Sequence, residues 1–165
     1  MEPLFNHPRI LLAATAVPPH RVEQWEIKEF ARRLFAGKFR DLERLLPVFD
    51  NAQIETRHFC RPLGWFGQEW TFPERNALYV EHALELSEKA ARRCLDRVGA
   101  KPEEIGALFF VSTTGISTPS LDAKLRFRLG LSPNLKRIPV WGLGCAGGAA
   151  GVARRRTTPT PIRTN

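Results

Sequence analysis

The stretch Arg137-Ile-Pro-Val-Trp-Gly-Leu-Gly-Cys-Ala-Gly-Gly-Ala-Ala-Gly-Val-Ala153 constrains this chain more than any other. A short apolar run gives way to glycines and then to a segment made almost wholly of alanine and glycine. That is the pattern of a strand, a tight turn and a closely packed helix. Cys145 stands at the joint. The strand end presents its side chain, the glycines clear space around it, and the open N–H groups of a helix start favour a thiolate. A thiol nucleophile fits such a place. The alternative is a structural cysteine buried beside a glycine turn.

The rest of the chain supplies alternating strands and helices. Residues 10–17 are apolar and end at Pro18-Pro19, which predicts a buried strand. Between residues 22 and 35, Ile27, Phe30, Ala31, Leu34 and Phe35 recur at helical spacing, and Gly37 closes that helix. A second helix is expected over 39–49 through Leu42, Leu45, Leu46 and Phe49, bent or ended at Pro47. Residues 51–59 form a short extended segment. The aromatic loop 60–72 either covers a pocket or packs down as a satellite core. Thr71-Phe-Pro-Glu74 is a capping box. The helix it opens carries Val80, Ala83, Leu84, Ser87, Ala91, Cys94, Leu95 and Val98 on one face and ends at Gly99. Cys94 belongs to that face, whereas His82 lies off it and is expected in solvent.

Residues 107–112 form a continuous apolar run, the pattern of a strand covered on both faces. Ser120 caps a helix with Leu121, Leu125 and Leu129, stopped at Gly130. The order is βαβ, so the expected class is α/β: a mostly parallel central sheet with helices on both faces. Ligand sites gather at the carboxyl ends of such strands. Thr113, Thr114 and Cys145 all fall there and could share one site.

Composition narrows the function classes. At 165 residues, 43% apolar and 25% charged, the chain can build one domain with a sizeable core. No apolar run approaches the ~20 residues needed to span a bilayer, and residues 1–17 lack a signal-peptide pattern. A cytoplasmic protein without membrane contact is expected. Cys60, Cys94 and Cys145 are odd in number and widely spaced, which argues against a disulfide framework and a zinc site. The net charge of +8 is uneven, because Arg154, Arg155, Arg156 and Arg163 place +4 in the last twelve residues. Elsewhere bases and acids are interspersed, so a nucleic-acid stripe is not expected, while a groove for a small anion needs only a few of these charges. No Walker A motif is present.

Several motifs in order carry a resemblance: Ala14-Thr-Ala-Val-Pro-Pro19, Ile54-Glu-Thr-Arg-His58, Val111-Ser-Thr-Thr-Gly115 with Pro119, Leu129-Gly-Leu131, and Gly144-Cys-Ala-Gly-Gly148. From about Arg9 to Ala153 the chain resembles the N-terminal half of type III polyketide synthases, the chalcone/stilbene synthase family of the thiolase superfamily. The Cys-Ala-Gly-Gly form is nearer the bacterial branch. The resemblance implies that Cys145 attacks a starter acyl-CoA and holds the acyl group as a thioester. Decarboxylation of malonyl-CoA then supplies the carbanion for a Claisen condensation. It implies CoA thioesters as substrates, no resident cofactor or metal, and a homodimer. Thr113 and Thr114 match polar positions of the initiation pocket. Thr118 matches the position that reaches the partner subunit, where plant members have methionine. Arg44 matches one CoA-phosphate position. Pro47 and Asn51 stand at the next two, and nearby Arg40 could substitute.

The same resemblance implies a second half that supplies the catalytic histidine and asparagine. None of His7, His20, His58 and His82 matches that histidine. Residues 1–153 are therefore expected to be the N-terminal thiolase-like domain. Residues 154–165 are expected to be a basic tail, disordered or out of frame. The isolated chain is expected to be poorly soluble or partner-dependent, and inactive or nearly so in condensation. Two further readings stay open: a non-catalytic truncated subunit or pseudogene product, and a ketoacyl synthase of the initiating type, which shares the fold and the cysteine but uses an acyl-carrier protein.

Overall fold

Antiparallel pairing organises the smaller of two units into which the computed structural model divides. The model describes residues 9–157, and the units are residues 17–74 and residues 9–16 with 75–157. In the smaller unit, β1 (His20–Glu23) pairs with β2 (Thr56–Phe59), His20 facing Phe59 and Glu23 facing Thr56. Helix α1 (Gln24–Phe35) starts directly from β1, with the Glu23 N–H donating to Glu26 Oε2 at 3.0 Å. Ile27 and Ala31 are buried one turn apart. Gln24 is buried too, and it donates to Phe49 O at 3.1 Å and accepts from Arg57 Nε at 3.0 Å. Bonds to Glu43, and then Glu29, raise the Arg32 guanidinium above its ordinary pKa.

The second helix is split into α2 (Leu42–Leu45) and α3 (Val48–Asn51), because Pro47 has no N–H to continue the ladder. The aromatic loop forms a 3-10 turn, Leu63–Gly67. Trp65 stacks on Trp70 with centroids 5.1 Å apart, and the Trp70 indole donates to Trp65 O at 2.9 Å. It packs down through its own aromatics and onto Phe59 of β2, with no residue of the turn fully buried. The capping box forms as the sequence predicts: Thr71 N donates to Glu74 Oε2 at 2.8 Å, opening α4 (Phe72–Val98). The Thr71 hydroxyl and then its N–H hold the Glu74 carboxyl below the usual glutamate pKa.

The larger unit is built on β3 (Ala107–Ser112) and β4 (Lys136–Trp141), which pair in parallel, Ala107 beside Lys136 and Ser112 beside Trp141. Between them runs α5 (Leu121–Leu129), closed by Gly130 at φ 67°. Ser120 holds the cap position, although its side chain makes no capping bond. Leu84, Leu121, Leu125, Leu129, Leu131 and Leu135 form the core, with Tyr79, Val80, Leu108 and Phe110 packed against it. Glu88 on α4 accepts from Arg92 Nη2 at 2.8 Å and pairs with Arg128 of α5 at 3.4 Å. Arg92 first, and Arg128 after it, hold the Glu88 carboxyl below its ordinary pKa.

Four expectations are corrected or extended. Among the described residues the strands form two two-stranded sheets, one antiparallel and one parallel, rather than a single mostly parallel central sheet; the class is α/β. Residues 10–17 form no strand. Leu11 to Val22 alternate between exposed and half-buried, the period of an extended chain, but Ile10 and Leu11 are 81% and 79% exposed. A strand needs a neighbour for its N–H and C=O groups, and none of the described strands pairs with this run. Arg93 Nη1 does reach Thr15 O at 2.7 Å. His82 is not in solvent: its side chain is 17% exposed, and its Nε2 is buried without a partner among the described residues. Finally, α6 (Gly147–Thr157) continues past Ala153 into the basic stretch. Residues 158–165, the remainder of the expected tail, and residues 1–8 lie outside the described residues. Among the described residues no helix is long and apolar enough to cross a membrane.

Candidate functional site

Two parallel strands that end side by side lead into the segments that carry Thr113, Thr114, Thr118 and Cys145. After Ser112, β3 leads into the loop of Thr113, Thr114 and Thr118. After Trp141, β4 leads into the turn that carries Cys145. That turn depends on glycine, since Gly142 and Gly144 have φ of 82° and 51°. A 3-10 turn over Gly144–Ala146 feeds directly into α6. Cys145 is exposed just ahead of the helix and has no hydrogen-bond or ionic partner among the described residues.

The glycines of α6 have a packing role. A Cβ on Gly147 would lie 2.7 Å from Val111 Cγ1, and one on Gly151 2.9 Å from Val111 Cγ2. Only glycine at i and i+4 lets this helix seat on β3 so closely, and that seating sets where the helix begins and so where Cys145 stands. Gly142, Gly144 and Gly147 also have the spacing of a dinucleotide-binding turn. Here Gly147 serves the approach to Val111.

Side chains on β3 alternate. Val111 faces α6, while Ser112 faces α4, where its Oγ is hydrogen-bonded to the Tyr79 hydroxyl. Thr113 follows at once, beyond the end of the strand. Thr113, Thr114 and Thr118 are all exposed, and the Thr118–Pro119 peptide is cis. The loop itself is tied to α4. Asn76 Nδ2 donates to Ile116 O at 2.8 Å and Ile116 N donates to Asn76 Oδ1 at 2.8 Å. Under the loop, Tyr79, Phe110, Ser112, Ile116, Asp122 and Trp141 line a cavity of about 360 Å³. Cys145, Thr113, Thr114 and Thr118 do not line it.

A second tie joins α5 to β4. Arg137 Nη1 donates to Asp122 Oδ2 at 2.7 Å, and Asp122 is 1% exposed. Asn76, Tyr79, Asp122 and Arg137 are absent from the candidates that sequence reasoning selects. Asn76 left one signal, a polar residue in helical register with the apolar Val80 and Ala83. Arg40 and Arg44, by contrast, belong to the smaller unit; both are exposed and unpaired among the described residues.

Comparison with known proteins shows which family the chain belongs to. Residues 65–157 match the family model described as chalcone and stilbene synthases, N-terminal domain. A protein of Bacillus subtilis (strain 168) assigned by name as a chalcone synthase is 45% identical over 150 residues, covering 88% of this chain and 41% of that protein. The 1,3,6,8-tetrahydroxynaphthalene synthase of Streptomyces peucetius subsp. caesius is 38% identical over 85% of this chain and 37% of its own. The crystal structure of 1,3,6,8-tetrahydroxynaphthalene synthase from Streptomyces coelicolor A3(2), a bacterial type III polyketide synthase, superposes with a TM-score of 0.79 at 30% identity, covering 86% of this chain and 40% of that one. The chain spans about two fifths of the length of the curated relatives it matches. With Cys145 in the strand–turn–helix joint and the family model matched across it, the chain belongs to the chalcone and stilbene synthase family of type III polyketide synthases, in its N-terminal portion.

Proposed function

We propose that this chain supplies the nucleophile of a type III polyketide synthase. The Cys145 thiolate attacks the carbonyl carbon of an acyl-CoA, CoA leaves as its thiolate, and the acyl group stays on the protein as a thioester. Malonyl-CoA then loses CO₂, its enolate attacks that thioester carbonyl, and the cysteine thiolate departs. The observation that carries this reading is the exposed Cys145 in a glycine turn at the start of α6, with Thr113 and Thr114 at the neighbouring strand end. CoA fits the reading, since a structure of the relative CsyB, 28% identical with a TM-score of 0.75, is complexed with CoA-SH. Arg40 and Arg44 are the proposed phosphate contacts, and Thr118 the proposed contact with a second subunit of a homodimer.

Loading and condensation make different demands. Loading needs the thiol and a site for the acyl chain. Condensation also needs donors for the enolate oxygen, and one such donor is typically worth ~10²–10³ in rate. Among the described residues His58 Nδ1 lies on Pro18 O and His82 Nδ1 is 3.6 Å from Glu85, so neither is bonded to Cys145. Acyl loading is thus the step this chain's own residues support. Intact-mass measurement after incubation with an acyl-CoA, and then with malonyl-CoA, tests it. An acyl adduct on the wild type and none on Cys145→Ala is expected. No adduct on protein shown to be folded by circular dichroism would refute the reading.

A further inference from the structure

We infer that Asn76 and Tyr79 are positioning residues that set acyl-group selectivity at Cys145 from the opposite side of the sheet; the inference rests on the proposed acyl loading. The two residues lie three apart on α4 and therefore share a face. Their bonds bracket the two threonines. The Tyr79 hydroxyl holds Ser112, the residue before Thr113, and Asn76 holds both backbone groups of Ile116, two residues after Thr114.

Gly115 makes the bracket tight. A Cβ there would lie 2.7 Å from Asn76 Oδ1 and would also run into the Tyr79 ring. No side chain can stand between the loop and α4, so the loop backbone rests directly on these two residues. Thr113 and Thr114 make no hydrogen bonds of their own among the described residues, and both are exposed. Their placement is therefore inherited from the bonds on either side. The Ser112 side chain faces α4, the preceding Val111 faces α6, and Cys145 stands in the turn just ahead of α6. A change on α4 is transmitted to the acyl site through three residues of backbone. Displacements of about 1 Å at a reacting site can cost roughly 10²-fold in rate. An acyl chain that presses on the threonines feels that displacement more than one too short to reach them.

The test uses the full chain as wild type, Asn76→Ala, Asn76→Asp and Tyr79→Phe. Acylation rates of Cys145 by acetyl-, hexanoyl- and lauroyl-CoA are read by intact mass, with peptide mapping to the cysteine. Alkylation of Cys145 by iodoacetamide serves as the control on the bare thiol. The hexanoyl-to-acetyl and lauroyl-to-acetyl ratios are expected to shift by roughly tenfold in Asn76→Ala and Tyr79→Phe, with the alkylation rate within about twofold of wild type. Asn76→Asp keeps an acceptor for the Ile116 N–H, so its shift is expected to be smaller than that of Asn76→Ala. Should Asn76→Ala fail to fold, Tyr79→Phe, which removes one oxygen and keeps the ring, decides. Wild-type ratios in the folded variants, or a uniform fall in all acylation and alkylation rates, would overturn the inference alone. Absence of any acyl adduct on folded wild type would overturn the acyl-loading reading and this inference with it.

Discussion

Helices α5 and α6 flank the same pair of strands, and they are held by opposite means. Helix α5 is anchored by side chains: Leu121, Leu125 and Leu129 are buried in the core, Asp122 is buried against Arg137, and Arg128 pairs with Glu88. Helix α6 is anchored by the lack of them. Over residues 147–154 its buried residues are Gly147 and Gly151, which meet the two methyl groups of Val111, while Val152 is 61% exposed. The helix that stabilises the unit is thus separate from the helix that positions the thiol. A large apolar residue can lose area and still hold; a glycine contact has no slack, because any added atom separates helix from strand.

The sharpest way to break this comparison is to remove an α5 anchor. Leu125→Ala should cost about 2–5 kcal/mol of stability in urea unfolding, from lost burial plus the cavity left behind. If it costs no more than a surface substitution, α5 is not the anchor. Asp122→Ala should cost about 1–3 kcal/mol, since it strands the Arg137 guanidinium, which can partly recover water. A similar loss is expected on the α6 side from addition rather than removal. Gly147→Ala should cost about 1–3 kcal/mol by overpacking against Val111, and a second change, Val111→Ala, should relieve much of it. An unrelieved double variant would mean that the glycine serves something other than that contact.

Smaller effects sharpen the contrast. Val152→Ser should change stability by no more than about 0.5 kcal/mol, as for an exposed site; a larger loss would show that this face of α6 is covered. The smallest concerns pH. Glu88 has a folded pKa below its unfolded one, so its contribution is present above the ordinary glutamate range and is lost as pH falls through that range and below it. Urea midpoints measured from neutral to acid pH should therefore fall less steeply for Glu88→Gln than for wild type. Parallel curves would mean that the Arg92 and Arg128 pairing adds nothing to the hold on α5.

Legibility in the sequence follows the range of the interactions. The 107–112 strand, the Thr71 capping box, the Leu121–Leu129 helix and the break at Pro47 all depend on neighbours within a few residues. Each stands where the sequence predicts it. The strand predicted over residues 10–17 failed because its apolar run speaks only to burial, whereas pairing depends on a partner elsewhere in the chain. His82 is covered although it lies off the apolar face, because the exposure of a helix flank depends on what packs beside it. Asn76 and Tyr79 leave little local mark because their partners lie 40 and 33 residues later.

What the sequence by itself determined is the joint: a cysteine between an apolar strand and a Gly/Ala helix. Glycine at 142 and 144 permits the turn, and glycine at 147 and 151 permits the seat, whatever the rest of the chain does. Only the tertiary structure decided which strand receives that helix, which side of β3 that helix covers, and that α4 grips the threonine loop from the other side. Those choices rest on contacts between residues far apart in sequence, where hydrogen-bond geometry and atomic overlap select the partner and local pattern carries no record of it.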